Sequence, residues 1–200
     1  MNRKKIVIAS MNRAKIEEIE RILANEQISF TSLPEFAPPD EVAETGTTFR
    51  ENAILKAEYY YQMIKYPVIA DDSGLVVPVL RGEPGVYSAR YAGEPVNYQR
   101  NNTKLLDNMI SFNGEDRRAF FICYAVFWDG KTRLESEGRV DGYIDSEARG
   151  DRGFGYDPVF YYPEKGKTFA QLEPAEKDQV SHRYRAFTRL KRKILVYLAN

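Results

Sequence analysis

Short apolar runs alternate with amphipathic stretches along this chain, and their order already sets the fold class. Ile6-Val7-Ile8-Ala9 is a continuous apolar run of the length a buried strand shows. The polar turn Ser10-Met11-Asn12 follows. Ile16, Ile19 and Leu23 then fall on one helical face, with Glu17, Glu18, Glu20 and Arg21 facing mostly away. Thr48 and Glu51 form a capping-box pattern, which predicts a second helix from Thr48 to about Tyr61 with Phe49, Ala53, Lys56, Ala57 and Tyr60 near one face. Pro67-Val68-Ile69-Ala70 predicts another buried strand, ending in Asp71-Asp72-Ser73-Gly74. Leu105, Leu106, Met109 and Phe112 recur at helical spacing between Asn97 and Phe112. Ala119 to Trp128 is apolar on both faces, as a central strand is. Asp129-Gly130 signals a hairpin turn into Lys131 to Glu137, which alternates with one wet face. Phe187, Leu190, Ile194 and Tyr197/Leu198 mark a final helix. A strand feeding a helix, followed later by a hairpin, predicts an α/β fold with a mixed sheet.

Bulk properties leave that picture standing. Two hundred residues can bury a core without disulfides or a structural metal, and 43% hydrophobic with 29% charged residues argues against disorder. With no repeat, low-complexity tract or long linker, 1–200 reads as a single domain. Lys+Arg and Asp+Glu both count 29, so there is no global pull toward a nucleic-acid polymer or an anionic membrane. Cys123 is the single cysteine, which excludes an intramolecular disulfide and a cysteine-built zinc site. The N-terminal apolar run is too short for a signal segment or a membrane span, so the expected location is the cytoplasm.

Polar clusters gather where elements end. Ser10 to Lys15 joins a strand to a helix start, whose backbone N–H groups can meet an anion while Asn12 donates and Lys15 adds a point charge. The Walker A spacing is absent, and an ordinary capped helix has the same local pattern. Glu44 lies on the approach to the second helix, and Asn52 and Lys56, four apart, share one of its faces. Asp71-Asp72-Ser73-Gly74 places two carboxylates at a buried strand's end, costly unless something positive sits there. That edge of an open α/β sheet is where ligands bind, and oxygen-only donors suit Mg²⁺. In Gly150 to Pro158, glycines let the backbone approach a flat ligand, with Phe154 or Tyr156 able to lie against a base; a tight surface loop is the plainer reading. Lys177 and Ser181-His182-Arg183 precede the final helix, and His182 is the only histidine.

Taken in order, these clusters resemble the Ham1/RdgB family of inosine/xanthosine triphosphate pyrophosphatases. The resemblance rests on Ser10-x-Asn12-x-x-Lys15, on Glu44-Thr45-Gly46-x-Thr48-Phe49-x-Glu51-Asn52-Ala53-x-x-Lys56-Ala57 and on Ala70 to Leu75. It continues through Pro84 to Tyr91, Gly153 to Pro158 and Ser181-His182-Arg183, covering almost the whole chain. It implies a two-lobed α/β fold with an extended mixed sheet flanked by helices, an active-site cleft between lobes, and a homodimer. It also implies hydrolysis of ITP, dITP and XTP to monophosphate and pyrophosphate, a house-cleaning of the nucleotide pool. Asp72 would deprotonate the attacking water with Lys56 beside it, while Asp72, Glu44 and Asp71 hold Mg²⁺, for which Mn²⁺ can substitute. Substrate contacts would come from Ser10, Met11, Asn12, Arg13, Ala14, Lys15, Asn52, Ser73, Phe154, Gly155, Tyr156, Asp157, Lys177, His182 and Arg183, with Phe154 on the base. Met11 stands where the family commonly has glycine, and Ala43 where it often has a carboxylate; Glu44, Glu41 or water would then complete the metal site. A Maf-type pyrophosphatase for other modified nucleotides and a non-catalytic nucleotide-binding protein are the alternatives. The paired aspartates argue against the second, because a sensor of polyanions gains nothing from carboxylates without a metal.

Overall fold

The computed structural model describes residues 4–24, 28–35 and 42–199. Glu41, one of the alternatives for a metal ligand, lies outside them. The chain divides into two compact units: Met1–Asp72 with Cys123–Gly138 and Arg183–Asn200, and Ser73–Ile122 with Arg139–His182. The strands are β1 (Lys4–Ile8), β2 (Ile28–Ser32), β3 (Val68–Val76), β4 (Arg118–Trp128), β5 (Arg133–Ile144), β6 (Phe160–Tyr162) and β7 (Lys167–Thr168). They form a seven-stranded sheet in the order β2-β1-β3-β4-β5-β6-β7. It is mixed: β1 is parallel to β2 and β3, whereas β6 is antiparallel to β5 and β7.

In the first unit the sheet carries α1 (Arg13–Leu23), α2 (Phe49–Ile64) and α5 (His182–Ala199). Successive strand side chains point to opposite faces, so sequence parity decides which helix each one meets. Ile6, Ile8, Ile69, Cys123, Ala125 and Phe127 pack with Ile16, Ile19 and Leu23 of α1 and with Phe187, Leu190 and Ile194 of α5. Val7, Ala9, Val68, Ala70 and Val126 instead meet Ala53, Ala57 and Tyr60 of α2. The capping box at the start of α2 is complete, with Thr48 accepting from Glu51 N–H and Glu51 answering at the Thr48 backbone. Its C-terminus is closed by Lys65 at φ 56°, one turn later than Tyr61.

The second unit contains α3 (Tyr98–Asn108), capped by Asn97, and α4 (Pro174–Val180). Its core joins Leu105, Met109, Phe121, Tyr156, Phe160 and Phe169. The Pro84–Tyr91 motif is structural here. Ser88 Oγ accepts from Leu75 N–H at 3.0 Å, and the Asn101 amide accepts from Ala92 N–H at 2.7 Å and donates to Ala89 O at 2.8 Å. Among the described residues no helix is long and apolar enough to cross a membrane.

Two strands run further than the hydrophobic pattern predicts. β3 continues through Asp71-Asp72-Ser73-Gly74 to Val76 instead of ending there, and β5 reaches Ile144 rather than stopping at Glu137. In both, polar or glycine residues are carried by the ladder of backbone hydrogen bonds, which is blind to side-chain hydropathy.

Candidate active site

On the α2 side of the first unit, Lys56 and Asn52 both contact Asp72, which is 5% exposed. Lys56 Nζ lies 2.7 Å from Glu44 Oε1 and 3.1 Å from Asp72 Oδ1, so one ammonium joins two carboxylates. Asn52, one turn earlier on α2, donates to Asp72 Oδ2 at 3.2 Å and accepts from Gly46 N–H at 2.8 Å. The capping box holds the approach segment as well, because Glu51 also accepts from Thr47 N–H at 2.7 Å. Burial pushes the Asp72 carboxyl above the usual carboxylate range, against the opposing pull of Lys56 and Lys15. Burial alone would lower Lys56, but Asp72, Glu44 and Asp71 outweigh it and hold the ammonium above its ordinary value. The result is a carboxylate held in place by a fixed cation and made more basic by burial, as suits a general base.

Asp71 points the other way. As an odd neighbour on β3 it faces α1 and α5, with Lys15 Nζ at 3.6 Å, Arg183 Nε at 3.7 Å and the Cys123 thiol at 3.8 Å. Arg183 in turn pairs with Glu18 at 2.8 Å, both side chains being 3% exposed. Three expectations change. Asp71 lies on the face of β3 opposite Asp72, turned by strand alternation toward Lys15 and Arg183 and not toward Glu44. Glu18 is buried rather than turned to solvent, since Arg183 of α5 provides a partner that helical periodicity cannot reveal. Arg183 belongs to this ion network, where Glu18 and Asp71 override the lowering effect of burial and keep it charged. Burial and the neighbouring Asp71 push the Cys123 thiol up, so it is a neutral donor and not a nucleophile.

The β1–α1 turn is shaped by its own side chains. Ser10 Oγ accepts from Asn12 N–H at 3.2 Å, and Asn12 Oδ1 caps α1 by accepting from Lys15 N–H at 3.2 Å. Met11 is exposed, Ala14 half-buried, and Arg13 points to solvent in a 2.9 Å pair with Glu17. From this turn Lys15 reaches the Asp71 carboxylate at 3.6 Å.

In the second unit, Asp157 organises the glycine loop. Its Oδ2 accepts from Phe154 N–H at 2.9 Å and from Lys177 Nζ at 2.5 Å. Lys177 Nζ also stands 4.9 Å from the Phe154 ring centroid, so a half-buried aromatic, a cation and a carboxylate form one group. Gly153 has φ 73°, and a Cβ there would run into the Asp157 carboxylate; glycine is required on both counts. Gly155 O accepts from Asn102 Nδ2 at 3.1 Å, and Ser73 lies half-buried on β3. Tyr156 does not stand free for a base: it is 3% exposed in the core and its hydroxyl donates to Ser88 O at 2.8 Å. His182 opens α5, 3% exposed, and stacks on Phe121 with centroids 4.7 Å apart and planes at 10°. Glu18 and Phe121 are thus the functional neighbours that sequence reasoning missed; each holds a residue the motifs did identify.

A family model, the Ham1 family, matches residues 6–193. The chain belongs to the Ham1 family. Over 188 residues it is 52% identical to a dITP/XTP pyrophosphatase of Geobacillus kaustophilus, covering 94% of this chain and 92% of that protein. A dITP/XTP pyrophosphatase of Dictyoglomus thermophilum is 43% identical over 194 residues, 96% and 94% of the two chains. Among solved structures, the Ham1 protein of Staphylococcus aureus superposes with a TM-score of 0.86 at 43% identity, covering 97% of this chain and all 100% of that one. The HAM1 protein of Coxiella burnetii gives 0.88 at 38% identity, with 96% and 99% covered. The mixed sheet with flanking helices is therefore the Ham1 fold, and the residues around Asp72 are carried on its β3 and α2.

Proposed function

We propose that this chain hydrolyses non-standard purine nucleoside triphosphates, ITP, dITP and XTP, to the monophosphate and pyrophosphate. The observation that carries the reading is the buried Asp72 carboxylate, raised in basicity and flanked by Lys56 and Asn52. The names of its close Ham1 relatives support the substrate class. Asp72 accepts a proton from a water that attacks the α-phosphorus. The new P–O bond forms as the bond from the α-phosphorus to the bridging oxygen breaks, and pyrophosphate leaves with that oxygen. Lys15 and Lys56 offset the negative charge, so catalysis is mainly positioning and electrostatics.

Glu44 and Asp72 are hard oxygen donors within reach of one ammonium, a set that fits Mg²⁺, which takes one or two carboxylates and completes its shell with phosphate oxygens and water. Glu44 and Asp72 would hold the ion from the protein side, and phosphate oxygens of the substrate and water would complete its shell. When bound, the ion would neutralise phosphate charge. Incubation with ITP and Mg²⁺ is expected to release pyrophosphate and IMP in equal amounts, and EDTA to abolish the reaction. Release of orthophosphate with IDP would overturn the reading, and full turnover after exhaustive chelation would remove the metal.

Base selection is assigned to the second unit, where Phe154 offers a ring face and Lys177 and His182 offer polar edges. Hypoxanthine and xanthine carry an acceptor oxygen at C6 where adenine carries an amino donor. An unsatisfied buried donor costs about 1–3 kcal/mol, so two conflicts give roughly two decades of preference. His182→Ala is expected to narrow the ratio of kcat/KM for ITP over GTP and ATP, because imidazole has one donor and one acceptor. Lys15→Ala should lower all the triphosphates alike, because a lysine point charge reads phosphate, which each of them carries. Measuring ITP, XTP, GTP and ATP on both variants decides the matter; parallel losses for His182→Ala would reduce it to a packing residue.

A further inference from the structure

We propose that Asn52 is a positioning residue for the reaction and not a substrate contact: it clamps the Glu44–Gly46 segment to Asp72. Its side chain is 0% exposed, and both ends of the amide are engaged inside the protein. Oδ1 accepts from Gly46 N–H at 2.8 Å and Nδ2 donates to Asp72 Oδ2 at 3.2 Å. Lys56 makes the same connection by charge, touching Glu44 at 2.7 Å and Asp72 at 3.1 Å. The two links differ in kind. A lysine is a point charge on a flexible stem and tolerates many carboxylate orientations. A planar amide bonded at both ends does not, because hydrogen bonds weaken steeply away from linearity.

Asn52 therefore fixes the rotation of the Asp72 carboxylate. One oxygen faces Asn52 and the other faces Lys56, which leaves one lone pair on each for water or a cation. The same amide fixes where the backbone next to Glu44 lies. Gly46 makes that approach possible: a Cβ there would stand 2.6 Å from Asn52 Oδ1 and 2.8 Å from Glu51 Cβ. The glycine and the asparagine of this motif are thus two halves of one device, which aims the proposed base and sets its distance from Glu44.

This inference rests on the reading of Asp72 as the group that accepts the proton from water, and its test keeps the two apart. Three variants, Asn52→Asp, Asn52→Ala and Gly46→Ala, are compared with the parent in ITP kinetics at saturating Mg²⁺ and in hydrogen exchange of the Gly46 amide followed by NMR. Asn52→Asp keeps the acceptor for Gly46 and loses the donor to Asp72. It should leave Gly46 protected while kcat falls roughly 10²-fold, the loss expected when a reacting group is displaced by about 1 Å. Asn52→Ala should lose kcat to the same extent and also expose Gly46 to exchange. Gly46→Ala wedges the segment away without altering any ionisable group and should lower kcat on its own. Adding it to Asn52→Ala should cost little more, because the two residues act as a unit. In all three variants KM for ITP should stay within about threefold, because interactions lost only at the transition state lower kcat and not ground-state binding. A raised KM with unchanged kcat would make Asn52 a substrate contact and overturn the proposal, as would a lower melting temperature with full kcat in the folded fraction. A parent that releases no pyrophosphate would sink the functional reading instead, and the clamp would then stand or fall on Gly46 exchange alone.

Discussion

Asp72→Asn is expected to lower kcat for ITP by roughly 10²–10⁴-fold, the usual contribution of a positioned general base, and at the same time to leave the protein as stable as the parent or more so. The two effects share one cause. Burial raises the Asp72 carboxyl above its ordinary value despite Lys56 and Lys15. A group whose pKa is higher in the folded state favours folding most when protonated, and that contribution is lost as pH rises through the folded-state value. At neutral pH the ionised carboxylate therefore opposes folding, and a neutral amide removes that cost while giving back part of it where its NH2 meets the Asn52 or Lys56 donor. Lys56 keeps Glu44 as a partner at 2.7 Å, so the substitution strands no charge. Steady-state kinetics and a thermal melt on the same preparation test both halves. More than about a tenth of parental kcat, against the loss expected of a base, would dismiss Asp72 from the role. A large fall in melting temperature would mean that the carboxylate is a structural anchor.

Arg183→Met should act in the opposite sense, on stability first. Glu18 and Arg183 are each 3% exposed and 2.8 Å apart, with Asp71 at 3.7 Å from the same guanidinium. Removing one partner of such a pair strands a buried charge, which costs about 3–5 kcal/mol. The comparison is Arg50→Ala, which breaks a 2.8 Å pair with Glu135 where the arginine is 51% exposed. There the expected loss is small, because solvent screens an exposed pair. Urea unfolding of the two variants beside the parent separates the cases. Near-equal midpoints would mean that water reaches the Glu18–Arg183 pair and that the network is not the interior brace of α1 and α5.

The sequence made legible what is set within a few residues. The capping box of Thr48 and Glu51, the stripe of Ile16, Ile19 and Leu23, and the final helix through Phe187, Leu190 and Ile194 all follow from local spacing, and the structure has each of them. Glu18 resisted such reading because its partner stands 165 residues away, and helical periodicity alone places it among solvated neighbours. Tyr156 was misjudged for a related reason. A tyrosine just after a glycine-rich turn looks free, but its hydroxyl finds the Ser88 carbonyl 68 residues upstream. Asp71 and Asp72 were legible as a site but not as two sites. Hydropathy ended β3 before them, and a turn would have let both side chains converge. The short elements β6, β7 and α4 carry too few residues for any period to emerge.

The spread of Asp71 and Asp72 onto opposite faces imposes a parity rule on β3. Neighbouring side chains on a strand exchange faces whenever the register moves by one residue. A single-residue deletion among Val68, Ile69 and Ala70 would carry Asp71 to the α2 side, at the depth Ala70 now occupies, and turn Asp72 toward α1 and α5. The twin aspartates therefore cannot stand in for one another. The strand can lose or gain residues ahead of them only in pairs if each carboxylate is to keep its face.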